Sequence, residues 1–314
     1  MESVQAPSPA GMTAWLRRLP GFERAEVTAI APLDGGASNL TCRVDIAGGP
    51  VARLALRMQR ERGIFEPYDV LREGEVLRRL AGSTVPVPKV VAAEPDAGAL
   101  GAPFLLLEWI DAPHMGVAGP EADFGAFTEM VARIHGLDWR ALGLEFLGVP
   151  ADAAAAMRGE ITLVAARMAR FAPGEPLLTR ARDILLAKVP PGGRLALCQG
   201  DINVFNYLFR ARAVVAVVDW EQARISDPRS DVGQLLALSA LKGAPWGPAD
   251  AAPFAMGYGM VSGTPLEGMA YFRAFWLWQL GVIYHGWRAF NGTDPWYSWA
   301  DIDLLLNRAL TELE

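Results

Sequence analysis

The sequence predicts an α+β chain in two parts, and three observations lead there. Residues up to about 110 read as β-strands grouped around one helix. From Ala122 onward, apolar residues recur at helical spacing instead. Between residues 195 and 219 a strand, a loop and a hairpin carry the polar side chains with the most chemical content. The division is expected at a linker over 108–116, with 1–107 before it and 117–314 after it.

The elements follow in order. Strands are expected at 27–32 and 40–46, joined by a turn, Asp34-Gly35-Gly36-Ala37-Ser38-Asn39. A strand over 51–57 ends on Arg57. A helix over 68–81 contains Gly74, which costs roughly 1 kcal/mol relative to Ala and points to close packing there. Val85-Pro86-Val87-Pro88 is a rigid extended entry to the next strand. A buried strand over 102–110 runs out into the linker. Phe124, Phe127, Met130, Val131 and Ile134 then mark a helix that ends at His135. Amphipathic helices are expected over 151–170 and 176–188. Short buried strands at 195–198, 207–209 and 214–218 surround a turn at Arg210-Ala211-Arg212. Phe272, Phe275, Trp276, Gln279, Leu280 and Ile283 form a late helical stripe. The first ten residues are expected to be flexible.

Composition narrows the class. A chain of 314 residues can bury a large core. It has no uninterrupted apolar run of about 18 residues, so no membrane span is expected. The N-terminus lacks a basic and then apolar leader, which points to a cytoplasmic protein. Cys42 and Cys198 are read as buried thiols rather than a disulfide. Three histidines and two cysteines show no zinc-ligand spacing along the chain. A net charge of −6 argues against a general nucleic-acid binder. Monomer and homodimer both remain open.

The chemistry concentrates in Gln199-Gly200-Asp201-Ile202-Asn203-Val204-Phe205-Asn206, followed by Val217-Val218-Asp219-Trp220-Glu221. An Asp with an Asn five residues on, then a hairpin ending in a second Asp, is the spacing of a phosphoryl-transfer centre. In that reading Asp201 is the catalytic residue, orienting a substrate hydroxyl and accepting its proton. Asn206 and Asp219 offer hard oxygen ligands to Mg²⁺. The bland reading makes Asp201 and Asn206 ordinary loop residues and Asp219 a strand cap. The expected strand–loop–hairpin scaffold around them favours the first.

At these residues the chain resembles a known family. The block CQGDINVFNYLF…VVAVVDWEQARISDPRSDVGQLL is similar to the HGDxxxxN…xxDWExxxxGDPxxDLA signature of the aminoglycoside phosphotransferase/choline kinase-like family. The resemblance covers roughly residues 27–290. It implies a two-lobed, protein-kinase-like fold, with an N-terminal antiparallel sheet plus one helix and a larger, mainly helical C-terminal lobe. It also implies ATP, or GTP, with Mg²⁺ as the phosphoryl source. Gly35, Gly36, Ser38 and Asn39 then become the phosphate-covering turn, although alone they read as a plain hairpin. Arg57 matches the phosphate-gripping cation, with Arg53 as second choice, and Glu73 its partner, with Glu75 the neighbour most easily mistaken for it. Main chain between Glu108 and Ile110 would meet the adenine edge. Asp227 and Asp231 would brace the loop after Asp219. Gln199 stands where the family has His, as structural support for the catalytic loop. His135 is read as scaffold.

The resemblance therefore implies a kinase for a small hydroxylated molecule, the alternative being a catalytically weak pseudokinase acting as a nucleotide-binding regulatory module. No segment resembles a protein-kinase activation loop ending in Ala-Pro-Glu. Six of the ten tryptophans lie after residue 245: Trp246, Trp276, Trp278, Trp287, Trp296 and Trp299. Most are expected in the core. Such a region suits an apolar or aromatic acceptor better than a polycationic one, since only Asp250 and Glu267 occur between Lys242 and Tyr284.

Overall fold

The computed structural model describes residues 4–33, 38–119, 122–242 and 251–314. Gly35 and Gly36, with Trp246 and Asp250, lie outside the described residues. The chain divides into two compact units, Met1–Asp111 and Ala112–Glu314.

The first unit runs α1 (Pro9–Leu16), β1 (Glu26–Pro32), β2 (Leu40–Ala47), β3 (Arg53–Met58), α2 (Val70–Leu80), β4 (Val90–Glu94), α3 (Ala97–Leu100) and β5 (Phe104–Glu108). Its five strands form an antiparallel sheet in the order β1-β2-β3-β5-β4. Side chains alternate between the two faces of each strand. Cys42, Val44 and Ile46, Leu54 and Leu56, and Phe104 and Leu106 line one face with Met12, Trp15 and Leu16 of α1. Alternation puts Arg57 and Leu105 on the other face, against α2. Gly74 of α2 is needed there, since a Cβ on it would lie 2.6 Å from Leu105 Cδ2.

Helix α1, which the sequence reading did not expect, takes in the last two of the first ten residues, Pro9 and Ala10. Ser8 Oγ accepts a hydrogen bond from the Gly11 amide at 3.1 Å, and Pro9 occupies the first helical position, where its missing N–H costs nothing. The apolar residues that dock this helix, Met12, Trp15 and Leu16, follow the segment and anchor it from behind.

The second unit begins with α4 (Met115–Ala118), α5 (Phe124–His135), α6 (Ala153–Phe171) and α7 (Pro176–Ala187). Strands β6 (Ala196–Cys198), β7 (Tyr207–Arg210), β8 (Ala213–Val217) and β9 (Arg224–Ser226) form two small antiparallel pairs, β6 with β9 and β7 with β8. Helices α8 (Pro228–Ala240), α9 (Ala251–Ser262), α10 (Met269–Asn291) and α11 (Trp299–Thr311) complete it. The expected turn at 210–212 tightens to Ala211 and Arg212, both with positive φ, as a two-residue hairpin between twisted strands requires.

The core of this unit surrounds α10, whose Tyr271, Phe272, Phe275, Trp276 and Trp278 are buried with residues of α6, α7, α8 and α11. Helix α8 reaches α10 closely at Gly233, where a Cβ would meet Phe272 backbone and Cβ at 2.6–2.8 Å. No helix among the described residues is long and apolar enough to cross a membrane.

Two glycines in helices should respond oppositely to alanine. Gly233→Ala inserts a methyl where backbone blocks it and should destabilise the protein by about 1–3 kcal/mol, the usual penalty of overpacking. Gly159, exposed within α6, has nothing within 4 Å of a built Cβ. Gly159→Ala should therefore gain up to about 1 kcal/mol from helix propensity. Thermal unfolding of both variants, read by circular dichroism, checks the sign of each change.

Candidate active site

The loop between β6 and β7 bends at Gly200, which has φ +84° and lies so close to Gln222 that a Cβ would sit 2.4 Å from its carbonyl oxygen. Only glycine fits both the conformation and the space. The bend delivers Asp201, half-buried, into a set of three amides. Asn203 Nδ2 donates to Asp201 Oδ2 at 2.7 Å, and Asn206 Nδ2 to the same oxygen at 3.0 Å. Gln234 Nε2, from α8, donates to Oδ1 at 2.7 Å. Burial and the nearby Asp219 charge push the Asp201 carboxyl up to about 6, with the three amides opposing the shift.

The backbone brings the other polar residues of the motif to the same place. Val218 N–H donates to Asn206 O at 2.9 Å, so the hairpin sets Asn206 beside the residue before Asp219. Asn206 Nδ2 also donates to Asp201 O at 2.8 Å. With its nitrogen facing Asp201, its Oδ1 is turned away as a potential ligand. Asp219 adopts φ +62°, in the left-handed region that non-glycine residues rarely enter. The following Trp220 is fully buried and donates through Nε1 to Val217 O at 3.0 Å, which holds this bend.

Behind the loop lies Asp231, fully buried. Its Oδ2 accepts from Gln199 N at 2.9 Å and Gly200 N at 3.4 Å, and contacts His135 Nε2 at 3.2 Å. Arg224 lies 3.7 Å from Oδ1 and pairs with Glu160 at 3.0 Å. Burial alone would push the Asp231 carboxyl up; the His135 hydrogen bond, Arg224 and the Gly200 amide outweigh it and hold the carboxyl below its usual range. Gln199 has no exposed surface. Its Nε2 donates to Val218 O at 2.8 Å and its Oε1 accepts from Tyr207 Oη at 2.8 Å. Gln199 thus ties the β6–β7 loop to the strand leading into Asp219. Asp227 caps α8, accepting from Arg229 N at 2.9 Å and pairing with Arg229 Nη2 at 2.6 Å. His135 completes its contacts through Nδ1 to Tyr258 Oη at 2.8 Å. Although no zinc spacing exists along the chain, His135, Cys198 and Asp231 do meet in space, their ligand atoms within 4.8 Å of one another. Hydrogen bonds engage the first and last, and burial pushes the Cys198 thiol well up, so it stays protonated.

In the first unit Arg57 and Glu73, 8% and 1% exposed, form an ion pair of 2.6 Å between β3 and α2. Arg53 is half-exposed and lies near Asp45 and Asp111 instead. Glu75 pairs on the surface with Arg79 at 2.7 Å. Burial separates each pair of alternatives: Arg57 and Glu73 are buried together, while Arg53, on the same sheet face at the other end of β3, and Glu75 are open to water. Ser38 and Asn39 are buried, and Asn39 Oδ1 accepts from Arg60 N at 3.1 Å. Glu108 is spent within its own unit, its amide donating to Lys89 O at 2.9 Å and its Oε2 accepting from Lys89 N at 3.3 Å. Its amide and one carboxylate oxygen are therefore both engaged by Lys89.

Sequence reading missed Asn203, Gln234, Glu160 and Arg224. Asn203 lies inside the motif and could have been found by its position two residues after Asp201. The other three are single polar residues in helical or strand patterns, with no local signal. Trp276 and Trp278 are core residues, as expected, while Trp296 is 44% exposed.

A model of the phosphotransferase enzyme family matches residues 29–275. Among solved structures, a Ralstonia eutropha JMP134 protein assigned as an aminoglycoside phosphotransferase superposes with a TM-score of 0.69 at 23% identity, covering 98% of this chain and 97% of that one. Aminoglycoside phosphotransferase APH(4)-Ia, as a thermostable mutant in ternary complex with AMP-PNP and hygromycin B, gives 0.65 at 14% identity, covering 96% and 98%. At these identities the likeness is one of fold. Acyl-CoA dehydrogenase family member 10 of Mus musculus is 28% identical over 230 residues, 69% of this chain and 21% of that protein. The chain spans between 21% and 29% of the length of the curated relatives it matches. Through the family match along most of its length, and with the α+β, protein-kinase-like fold of its structural neighbours, the chain belongs to the phosphotransferase enzyme family.

Proposed function

We propose that this phosphotransferase is an ATP- and Mg²⁺-dependent kinase of a small molecule, acting on a hydroxyl group. The observation that carries the reading is the state of Asp201. Three neutral amides hold its carboxylate, yet among the described residues Oδ1 has a single partner and keeps a lone pair for an incoming O–H. Asp201 would align the acceptor hydroxyl and take its proton as that oxygen bonds to the γ-phosphorus and the bond to the departing ADP oxygen breaks.

The donor set fits a magnesium ion: an amide oxygen on Asn206 and a carboxylate on Asp219, both hard ligands, with the Asn206 nitrogen already committed to Asp201. When bound, the ion supplies charge compensation to the nucleotide phosphates. Arg57 would grip phosphate oxygens through its fork, held in place by Glu73. Ser38, Asn39 and the turn that holds Gly35 and Gly36 belong to the same phosphate-binding proposal, and main chain between Glu108 and Ile110 to adenine recognition. AMP-PNP in the APH(4)-Ia complex supports an adenine nucleotide, with GTP as the second candidate. Two buried free cysteines suit a reducing, cytoplasmic location.

The pseudokinase alternative rested on Gln199, and its bonding speaks for activity. A residue supplying one donor and one acceptor to the loop does the positional work expected of the His it replaces.

The acceptor is a hydroxylated compound with substantial apolar surface. The curated relatives that share this segment are far longer proteins named as acyl-CoA dehydrogenase family members. Segments joined in one polypeptide often act on one substrate, so an acyl thioester bearing a hydroxyl on its chain is the first apolar acceptor to assay. A panel of hydroxyacyl-CoA thioesters, aliphatic and aromatic alcohols and kanamycin-like amino sugars, read by ADP release, tests this. The amino sugars should trail; if they are phosphorylated fastest, the acceptor class is wrong.

Mg·ATP should raise the melting temperature of the wild type, since a ligand bound only by the native state stabilises it by mass action. Asp219→Ala should lose most of that rise while remaining folded. Asp201→Ala should keep it and lose about 10²–10⁴-fold in turnover. A wild type with no Mg-dependent shift in either ATP or GTP would remove the reading's main support.

Gln199→His should change turnover by less than about tenfold, because both residues can donate and accept. Gln199→Leu strands the Val218 carbonyl and the Tyr207 hydroxyl and should cost about 1–3 kcal/mol of stability for each. Steady-state rates and melting curves of the two variants separate the cases. Gain of turnover in Gln199→His from a silent wild type would favour the pseudokinase.

A further inference from the structure

Asp201 is held from outside its own loop by one residue, Gln234, on the second turn of α8. Gln234 is 4% exposed. Its Oε1 accepts from Ile202 N at 2.9 Å and its Nε2 donates to Asp201 Oδ1 at 2.7 Å. The first bond fixes the second. A backbone N–H can only donate, so the amide oxygen must face Ile202 and the nitrogen must face Asp201. Asn203 is locked in the same way, its Oδ1 accepting from Phe205 N at 2.9 Å while its Nδ2 reaches Asp201 Oδ2.

We propose that Gln234 is a positioning residue for phosphoryl transfer, one that sets the rotamer of the Asp201 carboxylate so that the open lone pair of Oδ1 faces the acceptor. Asn203 and Asn206 both bind Oδ2, so they hold one end of the carboxylate. Gln234 alone among the described side chains holds the other oxygen. The residue type fits the task. A Lys or Arg here would pair with the carboxylate and weaken it as a proton acceptor, whereas an amide orients it and adds no charge. The close approach of α8 to α10 at the adjacent Gly233 gives this amide a rigid base.

The inference rests on the kinase reading, and its test separates the two. Gln234→Met keeps the length and removes both hydrogen bonds. Gln234→Glu keeps the acceptor for Ile202 N–H and replaces the donor with a second carboxylate. Each is compared with wild type for ADP release from Mg·ATP at pH 8, with water as acceptor and with the fastest acceptor of the panel above. Melting temperature and its rise with Mg·ATP are followed in parallel. Both variants should lose about 10–100-fold in kcat, the scale of a misplaced catalytic group, with KM for ATP within about threefold and the Mg·ATP shift retained. A purely structural role would lower the melting temperature and leave kcat of the folded protein intact.

If either folded variant keeps kcat within about twofold of wild type, the proposal is overturned. Should Gln234→Met fail to fold, Gln234→Glu, with its loop anchor preserved, decides alone. A wild type lacking both ADP release and the Mg·ATP shift overturns the kinase reading and the role of Gln234 with it; an active wild type with active variants overturns only the latter.

Discussion

The buried carboxylate of Asp231 is where the loop, the hairpin and the helices of the second unit are joined. A charge without solvent is tolerable only when donors surround it, and here four of them come from three places in the chain. Gln199 and Gly200 contribute backbone amides from the loop that carries Asp201, His135 a ring nitrogen from the end of α5, and Arg224 a guanidinium from β9. Each partner is held by another contact, His135 by Tyr258 and Arg224 by Glu160 of α6. Removing Asp231 would therefore strand two amides that no other residue in that interior replaces. The conformation of the loop follows from this anchor, and the orientation of Asp201 follows from the loop.

The anchor also explains why the site is built largely from amides. Asn203, Gln199 and Gln234 each donate and accept at once, so their amides have a fixed orientation, while Asn206 donates from one nitrogen to both the backbone and the carboxylate of Asp201. Such a network fixes positions without adding charge near Asp201 and Asp219. The formal charges stay a layer further out, in Arg224–Glu160 and Arg229–Asp227.

What was legible in the sequence was what lies close along the chain. Asp201, Asn206 and Asp219 could be read together because one loop and one hairpin fix their spacing, and the strands around them differ from expectation by one or two residues. Gly74 announced its close approach to Leu105 by its place within a helix. Gln234 could not be read, because its meaning depends on a helix 33 residues away returning to Asp201. Helix α1 was missed for a different reason: a Ser-Pro start resembles a flexible leader until the buried residues behind it are counted. Arg57 and Arg53 share a face of β3 and became distinguishable only once burial along the strand was known.

The backbone of Asp219 sets local stability against purpose. In the left-handed region an L side chain costs on the order of 1 kcal/mol, less for Asp than for most residues, and glycine avoids the cost. Selection for thermal stability alone would therefore drift this position toward glycine, and the most stable chain of this sequence would have lost its carboxylate. An Asp held there marks a limit to how far stability can be raised at this position without losing the carboxylate.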